Sequence, residues 1–299
     1  ITKHTVQQAH ETPRKVDMDA VDAQQRRRLL DRIVGYKLSP LLAIKIQKGL
    51  SAGRVQSSTL QLVVEREREI KAFIPEEFWT IDALFEKDID AYIYDYNGLK
   101  IDKLTVKNEA DATEIVTSAK SESFVVVSLE KTKRKTKTPP PFMTSTLQQA
   151  ASTQLGFSPK KTMMVAQKLY EGVKPDKGTM GVITYMRTES LNLAKEAVTA
   201  AREYIKTTYG DKYLPTKAKN AATKSKSAQE AHEAIRPTML EYTPQIAAKF
   251  LKPDELKLYT LIYNRFLACQ MTDAQFEQQS IIFKSDSSEF KANGRKLVF

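Results

Sequence analysis

The spacing of apolar residues changes near Pro75, Thr144 and Thr272, and this order of periods restricts the fold more than any other feature of the sequence. From Asp17 to about Ala72 apolar residues recur at helical spacing, as in Leu29, Ile33 and Tyr36, then Leu41, Ile44 and Ile46, then Leu60, Val63 and Val64. Gly35 and Ser39-Pro40 punctuate the run, so a set of helices is predicted rather than one. Beyond Pro75 the period falls to two. Trp79, Ile81, Ala83 and Phe85 alternate with polar residues, and Phe124-Val125-Val126-Val127 is rich in β-branched side chains, with a helix predicted over about 110–119 between these strands. The helical period returns over 144–272, in segments near 147–154, 159–171, 192–208, 228–234 and 253–270. Alternation then resumes, with Phe276, Ile281, Phe283, Phe290 and Val298 as inward candidates.

Strand, helix, strand in that order predicts a multidomain, mainly α chain of α+β class, with a helical domain inserted into a β-rich one. The expected domains are helical over 1–78, a discontinuous β-rich arch over 79–143 and 273–299, and helical over 144–272. At 299 residues the chain is long enough for two or three such domains, each expected to bury its own core. The cluster of lysines and one arginine over 131–137, followed by Pro139-Pro140-Pro141, reads as a semi-rigid connector into the inserted domain. Those cations either touch phosphate or keep the connector in water.

A net charge of +11, from 47 Lys and Arg against 36 Asp and Glu, points to a polyanionic partner, nucleic acid before membrane. The lone Cys269 excludes a disulfide framework, a thiolate zinc ribbon and a two-cysteine redox site within this sequence, and fits a reducing compartment, the cytoplasm by default. No apolar run approaches the ~20 residues of a membrane helix. A start at Ile1 and an end in the strand-like Lys296 to Phe299 lead us to expect an excised fragment.

Chemistry is expected at three places. The segment 181–190, GVITYMRTES, reads as a short apolar strand turning into a helix near Leu191, with the Tyr185 phenol at the first turn, where free N–H groups favour phosphate. Arg187 falls on the same side if the backbone stays extended. Nucleophilic attack needs phenolate, and holding a tyrosine with pKa of about 10 ionised at pH 7 costs roughly 4 kcal/mol. The same spacing also fits an ordinary strand-end tyrosine with its hydroxyl in water. In the segment 231–238, AHEAIRPT, a zinc-protease reading of His232-Glu233 fails because Arg236 stands where the second histidine belongs. A tyrosine-recombinase reading fails on spacing and order. What remains is His232 and Arg236 on one helical face, able to meet a phosphate together, or else a surface histidine. The third place is 51–57, SAGRVQS, a small-residue turn leading into a helix, where Arg54 and Gln56 could hold phosphate and read a base edge, or where Ser and Gly serve only as cap. Asp88 and Asp90 look superficially like a metal-binding acidic pair, yet they sit in an alternating strand and receive no chemistry.

Together SAGRVQS, EREREI (65–70), PPPFMTSTLQQAAS (139–152), GVITYMRTES and AHEAIRPT resemble the type IA DNA topoisomerases, in their order and across nearly the whole chain. Met186, Glu233 and Arg236 favour the bacterial topoisomerase I branch over the sister topoisomerase III, while Glu189 stands where Asp is usual. The resemblance implies that Tyr185 breaks one DNA strand and stays joined to the 5′ phosphate. Another strand then passes and the break is resealed without ATP, so that negative supercoils are relaxed. Arg187 would grip the scissile phosphate and His232 would support it or the tyrosine. Arg54, Gln56, Ser57, Arg26, Arg32 and Arg236 would contact DNA, giving a groove domain, an arch and a gate that swings about hinges at Pro139 to Pro141 and near Thr272. The partners implied are single-stranded and negatively supercoiled DNA, with no membrane, for a monomer. Magnesium would belong to the intact enzyme through an acidic Toprim domain absent here, so no metal ligand and no cofactor is assigned within 1–299. The alternatives are a non-enzymatic nucleic-acid-binding module and a topoisomerase III-type decatenase.

Overall fold

The computed structural model describes residues 3–13, 15–86, 88–172, 180–219 and 232–299. It divides into two units, Ile1–Glu77 and Phe78–Phe299.

The first unit is helical: α1 (Lys3–Glu11), α2 (Met18–Ile33), α3 (Ser39–Lys45) and α4 (Arg54–Ala72). Asp17 caps α2 by accepting the Ala20 N–H at 3.1 Å. Gly35 and Ser39-Pro40 do not break the chain into separate helices. Instead α2 runs through a π-type turn, Val34–Leu38, straight into α3. The loop before α4 is fastened where the Ala52 N–H donates to Ser39 Oγ at 3.0 Å. The expectation of an independent core fails here. No described residue of this unit is buried, and Leu29, Ile33, Ile44, Leu60 and Val63 are all more than half exposed.

The second unit opens with β1 (Asp82–Phe85), β2 (Ile89–Tyr96), β3 (Leu99–Lys100), α5 (Glu109–Ser121) and β4 (Val125–Thr136). Helices α6 (Thr144–Leu155), α7 (Pro159–Glu171), α8 (Lys195–Tyr209), α9 (Pro244–Ala247) and α10 (Pro253–Gln270) follow, and then β5 (Ala274–Lys284) and β6 (Ser288–Leu297). The strands make one antiparallel sheet in the order β1-β2-β6-β5-β4, with β3 paired to β2. The chain thus leaves the sheet after β4, builds five α-helices among the described residues, and returns as β5 beside the strand it left. Each part has its own core. On the sheet, Phe85 stacks on Phe283 at 4.1 Å and meets Phe124 and Phe290 edge-on, under Ala112 and Ile115 of α5. In the helical part, α10 supplies Leu258, Tyr259, Ile262 and Phe266 to a cluster that includes Leu147, Val165, Ile183 and Ile205.

The sequence expectations need three amendments. The cationic run 131–137 is not a connector, because β4 pairs with β5 through Thr136. Cross-strand bonding engages only the backbone there, and the lysine side chains stay exposed. Val298 lies beyond β6 and is exposed, although Phe283 and Phe290 are buried as expected. The segment 232–234 is not helical, since it leads into an extended stretch, and 228–231 lies outside the described residues. The two crossings between sheet and helices lie side by side. Lys219 Nζ reaches Thr138 Oγ1 at 2.9 Å and forms an ion pair with Asp273, and the Thr138 N–H donates to Asp273 Oδ1 at 3.4 Å.

Candidate active site

Tyr185 sits on a short extended segment wedged between the end of α7 and a second extended segment, 232–238. The Val182 N–H donates to Leu169 O at 2.8 Å, and Gly181 packs so closely that a Cβ there would lie 2.3 Å from Tyr170 O. Only glycine lets the two backbones approach this far. On the other side the Thr184 N–H donates to Arg236 O at 2.9 Å, and the Thr238 N–H to Val182 O at 3.0 Å. Thr184 Oγ1 donates to Ala234 O at 2.7 Å and accepts the Arg236 N–H at 3.0 Å. Buried Ile183 and Ile235 anchor both segments in the helical core.

This frame turns the half-buried Tyr185 ring between two aromatic neighbours. The His232 ring lies 4.9 Å away, tilted by 43°, and the Tyr170 ring lies 5.3 Å away, edge-on. The sequence reading reached His232 but not Tyr170. The signal available was an amphipathic helix whose last turn carries a tyrosine just before the Gly181 strand. After Tyr185 the chain bends at Met186 and Arg187 rather than staying extended, burying Met186 and exposing Arg187. The premise that placed Arg187 and Tyr185 on one side of a strand therefore does not hold. Thr144, at the start of α6, fixes this bend by donating Oγ1 to Met186 O at 2.8 Å and accepting the Thr188 N–H at 2.9 Å.

Tyr185 is not at a helix start, since α8 begins at Lys195, ten residues on. That helix N-terminus already receives a carboxylate, because Glu233 Oε2 accepts the Ala194 N–H at 3.0 Å. The same carboxylate grips Arg236 in two-point fashion, Nε to Oε2 at 2.8 Å and Nη2 to Oε1 at 3.0 Å. Burial alone would raise the Glu233 pKa. The bonds from Arg236 and Ala194 outweigh it and hold the carboxyl below its usual range. His232 and Arg236 consequently do not share a helical face. His232 goes to Tyr185, and Arg236 is committed to Glu233 and to Pro237 O at 3.0 Å.

In the first unit α4 begins at Arg54, directly after Gly53, as the small-residue turn predicted. Arg54 is bound by Asp31, Nε to Oδ1 at 2.7 Å, and this bond lowers the Asp31 pKa. Arg26, Arg27, Leu30 and Arg54 line one open cavity of about 360 Å³. Arg32 lies apart, its guanidinium 5.7 Å from the centre of the Tyr36 ring, and Gln56 Nε2 donates to Ser51 Oγ at 3.3 Å. Ser57 is exposed in the first turn of α4. Among the described residues no group of three or more His, Cys, Asp or Glu side chains is placed to hold a metal ion, and no helix is long and apolar enough to cross a membrane. None of the described residues is assigned to magnesium, and no step is routed through it.

Tyr185, framed by the rings of His232 and Tyr170, thus stands on a helical body inserted into an antiparallel sheet. The family model described as DNA topoisomerase matches residues 15–299, and the chain belongs to that family. It is 60% identical over its whole length to DNA topoisomerase 1 of Campylobacter jejuni, covering 43% of that protein. It is 57% identical to the DNA topoisomerase 1 of Helicobacter pylori, covering 41%. The full-length topoisomerase I of Thermotoga maritima superposes with a TM-score of 0.80 at 40% identity, over all of this chain and 47% of that one. The chain thus spans less than half the length of these relatives.

Proposed function

We propose that this chain is the strand-cleaving and gating part of a type IA DNA topoisomerase that relaxes negatively supercoiled DNA without ATP, as a monomer in the cytoplasm. Tyr185 is the nucleophile. Its phenol oxygen attacks a backbone phosphorus and the bond from phosphorus to the 3′ oxygen breaks. The phenol gives up a proton and the leaving oxygen gains one, so the products are a 5′-phosphotyrosine and a free 3′ hydroxyl. Because one phosphoester replaces another, the reverse attack reseals the strand with no external energy. The observation that carries this reading is the packing of the His232 ring against Tyr185, by two segments far apart in sequence that bond to each other through Thr184.

In this reading Arg187, exposed beside the nucleophile in sequence, holds the scissile phosphate and stabilises the charge of the transition state. His232 orients the phenol and donates to the phosphate. Arg236 acts by holding Glu233 and with it the segment that presents His232, a positioning role in place of direct DNA contact. Arg26 and Arg54, with Gln56, Ser57 and Arg32 on the same helical unit, bind single-stranded DNA. The sheet, 79–143 with 273–299, is the arch, and the helical body, 144–272, is the gate. Thr138, Lys219 and Asp273 tie its two crossings together.

The test is plasmid relaxation by the full-length protein with Tyr185→Phe. Relaxation should vanish while affinity for a single-stranded oligonucleotide stays within about twofold. Relaxation that persists in the variant rules out Tyr185 as the nucleophile.

A further inference from the structure

We propose that the groove between α6 and α10 is a phosphate site for the backbone of DNA, centred on Arg265 and separate from the strand held at Tyr185. The inference rests on the topoisomerase reading for the identity of the polyanion, and on the side chains of the groove for the site.

Residues three or four apart on a helix share a face. On α10 that spacing sets Lys257, Leu261 and Asn264 in one row, and on α6 it sets Thr146, Gln149 and Thr153 in another. Two cavities of about 360 and 420 Å³ lie along these rows, and Arg265 and Gln154 line both. The two cavities therefore adjoin, with Arg265 where they meet.

Arg265 is set apart by its lack of a partner. Arg54, Lys219 and Arg236, which are also partly buried, each hold a carboxylate. Arg265 is half-buried with its guanidinium 4.3 Å from the centre of the Phe142 ring, and it makes no hydrogen bond or ion pair among the described residues. Burial lowers its pKa, and no carboxylate raises it again. Among the described residues no Asp or Glu lines either cavity. The exposed side chains of Lys257, Asn264, Gln149 and Gln154 bond to no described residue, so both walls offer free donors.

Stacking on Phe142 accounts for the face of the guanidinium but not for the N–H groups along its edge, which are left to the groove. The platform itself is fixed, because Phe142 is fully buried and its carbonyl accepts the Ile235 N–H at 2.7 Å. A guanidinium held flat with its edge free is preorganised for two-point contact with phosphate. Lys257 precedes it by eight residues, about 12 Å along α10, so the two cations would meet different phosphates of one strand. These donors address the backbone, which single strands and duplexes have in common.

The experiment labels the lysines of the full-length protein with an amine reagent and maps them by mass spectrometry. Labelling is done alone and with a single-stranded oligonucleotide, a duplex, pyrophosphate or polyglutamate. With DNA at about ten times its Kd, about one groove in eleven is free, so Lys257 labelling should slow about tenfold. Lys107, exposed just before α5, is the control and should keep its rate. A two-point guanidinium contact contributes about tenfold or more in affinity, so in Arg265→Met the slowing should shrink to about twofold or less. Gln154→Glu tests the groove without altering a buried group, since it sets a carboxylate between the cavities at an exposed position, and it should release Lys257 likewise. Native protection in either variant overturns the proposal, as does a Lys257 that neither form of DNA protects. Protection by polyglutamate and not by DNA would assign the groove to an acidic protein, and protection by pyrophosphate alone to a free phosphate ligand; both overturn the DNA reading. Protection by the single strand, the duplex or both supports it and identifies the form bound. These readouts do not involve Tyr185. Persistence of relaxation in Tyr185→Phe would therefore strike the cleavage reading and leave this result standing.

Discussion

Gly181→Ala is the smallest change that challenges the frame around Tyr185. The added Cβ would sit 2.3 Å from Tyr170 O, and ordinary contact begins at 3.4 Å, so at least 1.1 Å of separation has to be gained. Both positions are fixed by the backbone, and neither atom can rotate away. The movement must come from the end of α7 or from the Gly181 segment itself, which would stretch the Val182–Leu169 hydrogen bond next to it. Overpacking of this kind costs about 1–3 kcal/mol, and a weakened backbone bond adds about 1 kcal/mol. For a unit of this size the melting temperature should drop by about 4–16 °C. Tyr185 is four residues away on the same segment. A displacement near 1 Å at a reacting group costs about 100-fold in rate, so covalent cleavage by the full-length protein should fall by that order while oligonucleotide affinity changes little. Calorimetry and a cleavage time course would read the two effects. A variant that melts within about 1 °C of the native protein and cleaves at the native rate would refute the close-approach argument.

Other perturbations probe the surroundings. Glu233→Ala removes the partner of Arg236 and should cost about 1.5–3 kcal/mol at neutral pH. Because the folded carboxyl titrates below its ordinary value of 4.5, this stabilisation is complete above that pH and is lost as pH falls through the lower folded value. The melting-temperature gap between native and variant should therefore close in acid, and a gap independent of pH would contradict the ion-pair account. Tyr170→Ala should slow covalent cleavage more than it weakens oligonucleotide binding, since Tyr170 touches the Tyr185 ring; equal losses in both would leave it a purely structural residue. Burial pushes the Cys269 thiol up to about 11, so labelling by a thiol reagent in the native protein should be at least about 100-fold slower than in urea. Rapid native labelling would show that the helical core opens readily.

Helices and strands of the second unit were legible wherever a long, single-period pattern met a core: α7 and α10 span the expected 159–171 and 253–270. The first unit shows the opposite case. Its apolar stripes predicted helix across α2, α3 and α4, but the break expected at Gly35 and Ser39-Pro40 is a continuous π-type turn, and periodicity says which face is apolar and not what covers it. At the site, Tyr185, His232 and the Arg54 turn were visible as residue types. Their geometry was misread where local rules met long-range bonds. A stretch with the spacing of a helix, 232–236, is extended because the Ile235 N–H donates to Phe142 O at 2.7 Å and Thr184 engages Arg236. The bend after Tyr185 depends on Thr144, 41 positions earlier, and no window of local sequence contains both.

The central claim is that Tyr185 becomes covalently joined to DNA. The direct measurement uses the full-length protein with magnesium and a single-stranded oligonucleotide labelled at its 3′ end, resolved under denaturing conditions and followed by peptide mapping. The account predicts label on the protein, on a peptide containing 181–190, and none with Tyr185→Phe. Label that maps elsewhere or survives the substitution, or that stays off the protein while cleaved DNA accumulates, would contradict it.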